Sequence, residues 1–96
     1  MSDPLNSAIV LYLGYGTASF PHHRREAVEE RFGDQADELL RRMDLVFETL
    51  DKVVPYDSEA LAVATKRAVE AAKLKHPELT DETLAAIGWS YSYGWK

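Results

Sequence analysis

A glycine-containing loop followed by four basic residues is the segment of this sequence best suited to binding a small anion. The loop spans residues 14–19, and the basic turn after it spans residues 22–25. If a helix begins there, its free backbone amides attract negative charge, and guanidinium and hydroxyl groups beside them strengthen the attraction. The candidate phosphate or carboxylate site consists of Gly16, Thr17, Ser19, His23, Arg24 and Arg25.

The spacing of this loop matches no established phosphate-binding motif. It contains neither the GxxxxGK[ST] pattern nor the GxGxxG pattern. Cationic side chains at a helix start also oppose the helix dipole, so Glu26, Glu29 and Glu30 would have to compensate for them. The favoured interpretation is therefore structural: a glycine ends one helix, a polar loop follows, and the basic turn is solvated.

The titratable residues do not form a recognisable metal site or catalytic site. The sequence has no cysteine, and no second His/Glu pair complements the one that His22 or His23 makes with Glu26. Acid–base catalysis needs carboxylates or histidines in a dry cleft, whereas nearly every acid here falls on the polar face of a helix. We predict no catalytic residue, no metal and no cofactor.

Aromatic residues cluster at the end of the sequence, where four of the ten lie among the last eight residues. On a helix, Trp89 and Tyr93 fall on one side, and Tyr91 and Trp95 fall on the opposite side. The residues that share the side of Tyr91 and define the predicted core face are Leu84, Ile87, Gly88 and Trp95. Trp89, Tyr93 and Ala86 are then predicted to point away from the core.

Outward aromatic side chains are candidate protein-binding residues, because Trp and Tyr bury a large area with few rotatable bonds. The predicted anchors are Trp89 and Tyr93, with Tyr15 and Phe20 adjoining them. The favoured alternative is that the first helix or the loop covers these rings within one protomer. A third interpretation reads the alternating aromatic residues as a strand that pairs with residues 9–13.

Gly and Pro residues divide the sequence into four or five predicted helices. The first begins after an Asp3 cap with Pro4 and ends at Gly14, and the third is amphipathic over residues 34–53. The second helix is predicted to start at Pro21 and to reach about Phe32. The fourth helix is predicted to be capped by Asp57 or Ser58 and to end at about Lys75. The last is predicted to be capped by Thr80 or Asp81 and to end at about Tyr93.

These elements predict one all-α domain over residues 1–96, a small antiparallel bundle of four to five helices. Two long helices occupy its centre, and the first and last helices pack across them. The runner-up is an α+β fold in which short strands from the two termini pair.

Composition narrows the function classes. The formal net charge of −5 disfavours nucleic-acid binding, and the longest apolar run, residues 8–13, is far too short to span a membrane. With no cysteine and no signal-like segment, we expect a cytoplasmic protein. The leading prediction is a non-enzymatic protein, such as an inhibitor, an immunity or antitoxin-like protein or an accessory subunit. It binds another protein or a second copy as a homodimer, and the alternative is a domain that binds a small anion.

Overall fold

Helices account for all the regular structure in the described part of the chain, residues 3–19, 21–56 and 59–94 of the computed structural model. The helices are α1 (Pro4–Leu13), α2 (Arg25–Phe32), α3 (Ala36–Asp51), α4 (Leu61–Lys75) and α5 (Asp81–Gly94), with a 3₁₀ turn at Gly33–Gln35 before α3. The predicted all-α bundle is confirmed. The α+β runner-up is not needed, because residues 9–13 and 89–94 are both helical and the described residues contain no strand.

Both ends of α1 follow from local sequence. The Asp3 carboxylate accepts a hydrogen bond of 3.0 Å from the backbone amide of Leu5, and Pro4 occupies the first turn, where its missing N–H costs least. Gly14 ends the helix in the left-handed region at φ +75°, where a side chain would be strained. The predicted bounds of α1 are therefore confirmed.

The start of α2 was predicted four residues too early. Residues 21–24 are not helical, and α2 begins at Arg25. The backbone amides of His22 and Arg24 donate hydrogen bonds of 2.9 Å to the carbonyls of Leu13 and Tyr12. These carbonyls at the end of α1 have no partner inside their own helix, so the incoming segment satisfies them instead of coiling.

The outward prediction for Ala86 is wrong, because α5 packs against both α1 and α4. Ala86 is 0% exposed, and Thr83 and Ile87 are equally buried. On the α4 side the helices approach closely. A Cβ atom added at Gly88 would lie 3.0 Å from a methyl carbon of Val69. Among the residues of the first half of α5, only Asp81, Glu82 and Ala85 remain exposed.

Three other helix ends differ little from prediction. α3 begins at Ala36 after the 3₁₀ turn, and α4 begins at Leu61, a few residues later than expected. The predicted caps Asp57 and Ser58 lie outside the described residues. The Thr80 hydroxyl accepts a 3.3 Å hydrogen bond from the Thr83 amide and so caps α5, as predicted. No helix in the described ranges has the length and apolar character needed to cross a membrane.

Candidate functional site

An open groove runs between α3 and the carboxyl end of α5, with the last turn of α1 at its edge. Its volume is about 580 Å³. We call it the aromatic groove, because four of its lining residues carry phenyl or phenol rings. These residues are Tyr12, Phe47, Tyr91 and Tyr93. The other lining residues that matter for recognition are His23, Asp44 and Asp51.

Three rings from separate elements form one wall of the aromatic groove. The ring centroids of Tyr12 and Phe47 lie 5.7 Å apart at an angle of 43°. The His23 ring stacks on Tyr12, with the ring centroids 5.4 Å apart and the two rings nearly parallel. His23 is placed there because His22 and Arg24, on either side of it, are hydrogen-bonded to the end of α1. Burial raises the pKa of the Tyr12 hydroxyl, which therefore stays protonated at neutral pH.

Tyr91 forms the buried part of the aromatic groove. Its hydroxyl donates a 2.6 Å hydrogen bond to the carbonyl of Val53, just after α3 ends. This bond ties α5 to the chain beyond α3 and fixes the distance between the two helices that flank the groove. Burial also raises the pKa of Tyr91, so its hydroxyl remains a donor at neutral pH.

The predicted anchors Trp89 and Tyr93 contact each other. Their rings meet edge to face with centroids 5.8 Å apart, and the Tyr15 ring meets the other side of Trp89 at 5.5 Å. Trp89 is half-buried against the core, whereas Tyr93 is 40% exposed and donates a 3.2 Å hydrogen bond to the carbonyl of Ser19. The loop therefore covers part of this aromatic pair, as the favoured alternative expected. Phe20 and Trp95 lie outside the described residues.

Two carboxylates on α3 flank Phe47 at the rim of the aromatic groove. Asp44 lies three residues before Phe47 and Asp51 lies four residues after it, so all three share one side of the helix. Arg25 approaches Asp44 only to 3.9 Å, and both side chains are exposed, so this pair is weak. Within the described ranges no salt bridge involves Asp51. The rim therefore carries net negative charge.

The residues of the predicted anion site do not come together. His23 lines the aromatic groove and Arg25 lies near Asp44. Arg24 and Thr17 instead line a smaller cavity of about 290 Å³ beside α1, together with Arg31. The Thr17 hydroxyl donates to the Gly14 carbonyl at 3.1 Å.

The remaining two members of that set, Gly16 and Ser19, are exposed in the loop. Neither lines the cavity that holds Arg24. The chain segment before α2 runs past the end of α1, so consecutive basic side chains point to different sides of it. Anion binding by these six residues stays a prediction, and the structure places them at separate locations rather than around one site.

No protein-family model, no curated protein and no solved structure matches the chain. Among the described residues, no group of three or more His, Asp or Glu side chains is placed to hold a metal ion.

Sequence reasoning did not identify Tyr12 and Phe47 as site residues. Both lie on the apolar stripes of their own helices, a position typical of core residues, yet both are only half-buried. The available signal was the position of Phe47 between Asp44 and Asp51, which marks the border of the apolar stripe of α3. Nothing local indicates that the end of α1 and the end of α5 meet this border.

Proposed function

We propose that this chain is a small, non-enzymatic cytoplasmic protein that acts by binding another protein in the aromatic groove. Tyr93 is the main anchor. Trp89 packs against the Tyr93 ring, and Tyr15 packs against Trp89. The observation that carries the proposal is that the exposed Tyr93 ring and the half-buried Tyr12 and Phe47 rings line the same groove. An inhibitor, an immunity or antitoxin-like protein and an accessory subunit are the roles that fit such a surface.

The energetics of interfaces support this use of the rings. Binding free energy concentrates in a few aromatic and arginine side chains seated in pockets, and Trp and Tyr are the most frequent of these. Tyr93 is already restrained by its contact with Trp89 and its hydrogen bond to Ser19. Binding of a partner therefore costs little conformational entropy at the Tyr93 side chain.

The acidic rim favours a basic partner side chain in the groove. An arginine or lysine placed there stacks its cationic group on Tyr12 or Phe47, an interaction that gains energy when desolvated. The carboxylates of Asp44 and Asp51 then accept charge-assisted hydrogen bonds from it. The overall charge of −5 adds long-range attraction to a basic surface.

Replacing Phe47 or Tyr93 should weaken partner binding while the fold survives. We expect Phe47→Ala and Tyr93→Ala each to weaken binding by about 10- to 100-fold, which is the usual cost of truncating an aromatic anchor. The measurement is quantitative co-purification of partners from cells that natively produce the protein, followed by titration with the recovered partner.

Leu45→Ala provides the matched control, because Leu45 is an exposed leucine on α3 that does not line the aromatic groove. Tyr93→Phe separates the ring from its hydrogen bond to Ser19. Asp51→Asn should weaken binding more at low than at high salt, since the rim acts through charge. If Phe47→Ala and Tyr93→Ala bind every recovered partner as the unchanged protein does, the proposal fails.

A second candidate function, binding of a small anion, is favoured by one observation. Arg24 and Arg31 line the same small cavity, and Thr17 borders it. Glu82 also lines this cavity and opposes an anion there, so we rank this function below protein binding.

Thermal unfolding in the presence of inorganic phosphate tests the second candidate. We expect phosphate to raise the unfolding temperature, with a shift that grows with the logarithm of its concentration once the site is mostly occupied. Arg24→Ala and Arg31→Ala should each remove this shift, whereas Arg25→Ala, on the far side of the segment, should retain it. If phosphate causes no shift, the chain does not bind this anion. If Arg25→Ala also removes the shift, the anion does not bind in the cavity lined by Arg24 and Arg31.

A further inference from the structure

One face of α4 is left uncovered by every other described element of the chain. It carries Val63, Lys66, Glu70 and Leu74, which are all exposed. Val63 is 52% exposed and Leu74 is 85% exposed, the largest value among the large apolar residues of the described chain. Spacings of three, four and four place these side chains in one row along the helix.

The opposite face of α4 is fully committed to the core. Ala64, Ala68 and Ala72 are each 0% exposed, and they face α3 and α5. Their small size lets the neighbouring helices approach closely, so α4 cannot rotate to bury Leu74 without losing these contacts. No element in the described ranges is therefore able to cover the exposed row.

The exposed row is self-complementary when read in the opposite direction. Its midpoint lies between residues 68 and 69, with an apolar residue at each end and opposite charges between them. In two antiparallel helices related by a two-fold axis, Val63 comes opposite Leu74 of the second copy. Lys66 then lies within one residue of the level of Glu70 of the second copy, close enough for their side chains to pair, and symmetry repeats both pairs.

We propose that this face of α4 binds a second copy of the chain, so that two α4 helices pack antiparallel across a two-fold axis. The apolar residues at both ends bury surface that a lone protomer exposes to water. The central charges make two intermolecular ion pairs. Within the protomer, Lys66 precedes Glu70, which is the less favourable order on a helix, and no salt bridge joins them in the described chain.

The size of this contact sets its strength. One helix of 15 residues from each copy contributes it, which gives an area below the ~1,200 Å² of a standard stable interface. The dimer therefore forms at high protein concentration and dissociates on dilution. The aromatic groove is lined by α1, α3, α5 and the segment before α2, so this contact is separate from the proposed partner surface.

Sedimentation equilibrium of the full chain tests the proposal between about 10 µM and about 1 mM, the range in which a small interface associates. The average mass should rise with concentration from 10.8 kDa towards twice that value. Leu74→Glu should keep the chain monomeric, and its far-ultraviolet circular dichroism melt should be unchanged because the side chain is exposed.

A charge-swap series identifies the two-fold arrangement. Lys66→Glu alone and Glu70→Lys alone each place like charges across the axis and should weaken dimerisation about 10-fold or more. The double variant Lys66→Glu with Glu70→Lys restores opposite charges and should recover the original dimerisation constant. Leu45→Glu, at the exposed leucine of α3, should have no effect.

Three results would overturn the proposal. The first is a mass of 10.8 kDa at every concentration. The second is a dimer that withstands Leu74→Glu or gains nothing from the double charge swap. The third is a dimer that Leu45→Glu disrupts, since this would assign the self-contact to α3. Partner capture by Tyr93→Ala and by Leu74→Glu separates this proposal from the proposed function, because only the former variant should lose the partner.

Discussion

Replacing Asn6 with leucine is expected to lower the free energy of unfolding by about 2–4 kcal/mol, because it leaves two partly buried backbone groups without their side-chain partner. Asn6 is only 4% exposed. Its side-chain oxygen accepts a 2.8 Å hydrogen bond from the Thr80 amide, and its nitrogen donates to the carbonyl of Glu78 at 3.0 Å. Leucine is similar in size but can make neither bond. Equilibrium unfolding in urea measures the change as a shift of the midpoint at constant slope.

Two further variants calibrate this expectation. Asn6→Asp keeps an acceptor for the Thr80 amide but places a carboxylate oxygen against the Glu78 carbonyl, so it should also destabilise the fold near neutral pH. Ser7→Ala, at the exposed neighbour, should change stability by no more than about 0.5 kcal/mol. An Asn6→Leu protein as stable as the unchanged chain would mean that water replaces the bridge, and α1 would not be anchored to the start of α5 through it.

The Asn6 bridge shows where sequence reasoning stops. The caps of α1 and α5 were predictable, because Asp3, Pro4 and Gly14 and the Thr80 hydroxyl act on neighbouring residues. Asn6 instead joins backbone groups 72 and 74 residues away. A polar residue within an apolar helix indicates that some partner exists, but its spacing does not say which one.

The two wrong predictions have the same physical origin. Ala86 was assigned to the solvent side because the helical wheel of α5 was given a single covered face, whereas both α1 and α4 pack on that helix. The start of α2 was set at Pro21 by local preference, but the His22 and Arg24 amides bond to α1. In each case a tertiary contact that the local sequence pattern does not contain decided the outcome.

The candidate site was only partly predictable for a related reason. Tyr93 and Trp89 stood out because aromatic residues on two sides of a terminal helix exceed what one core face can cover. Tyr12 and Phe47 did not, since each belongs to an apolar stripe in its own helix. Their role arises because the borders of the apolar stripes of α1, α3 and α5 lie side by side in the fold. The sequence pattern of each helix alone does not show which borders come together.

Replacing Asp3 with alanine is expected to cost about 2–3 kcal/mol, because this carboxylate both caps α1 and pairs with α3. Its two oxygens accept hydrogen bonds of 3.0 and 2.7 Å from the guanidinium of Arg42, and one of them also accepts from the Leu5 amide. Both partners are about one-third exposed or less, so solvent screens the pair only partly. Urea unfolding of the variant measures the loss.

Asp3→Asn separates the cap from the charge, since asparagine is an equally good N-cap but carries no charge. The hydrogen bonds from Arg42 and Leu5 hold the pKa of Asp3 below its ordinary value of 3.8. A carboxyl with a lowered folded-state pKa stabilises the fold above its unfolded pKa, and the stabilisation is lost as pH falls through the folded value. The stability difference between the unchanged protein and Asp3→Asn should therefore be constant above about pH 5 and should shrink below about pH 4. A difference that does not depend on pH would mean that the Arg42 pair contributes no charge-dependent stability, leaving the N-cap as the whole role of Asp3.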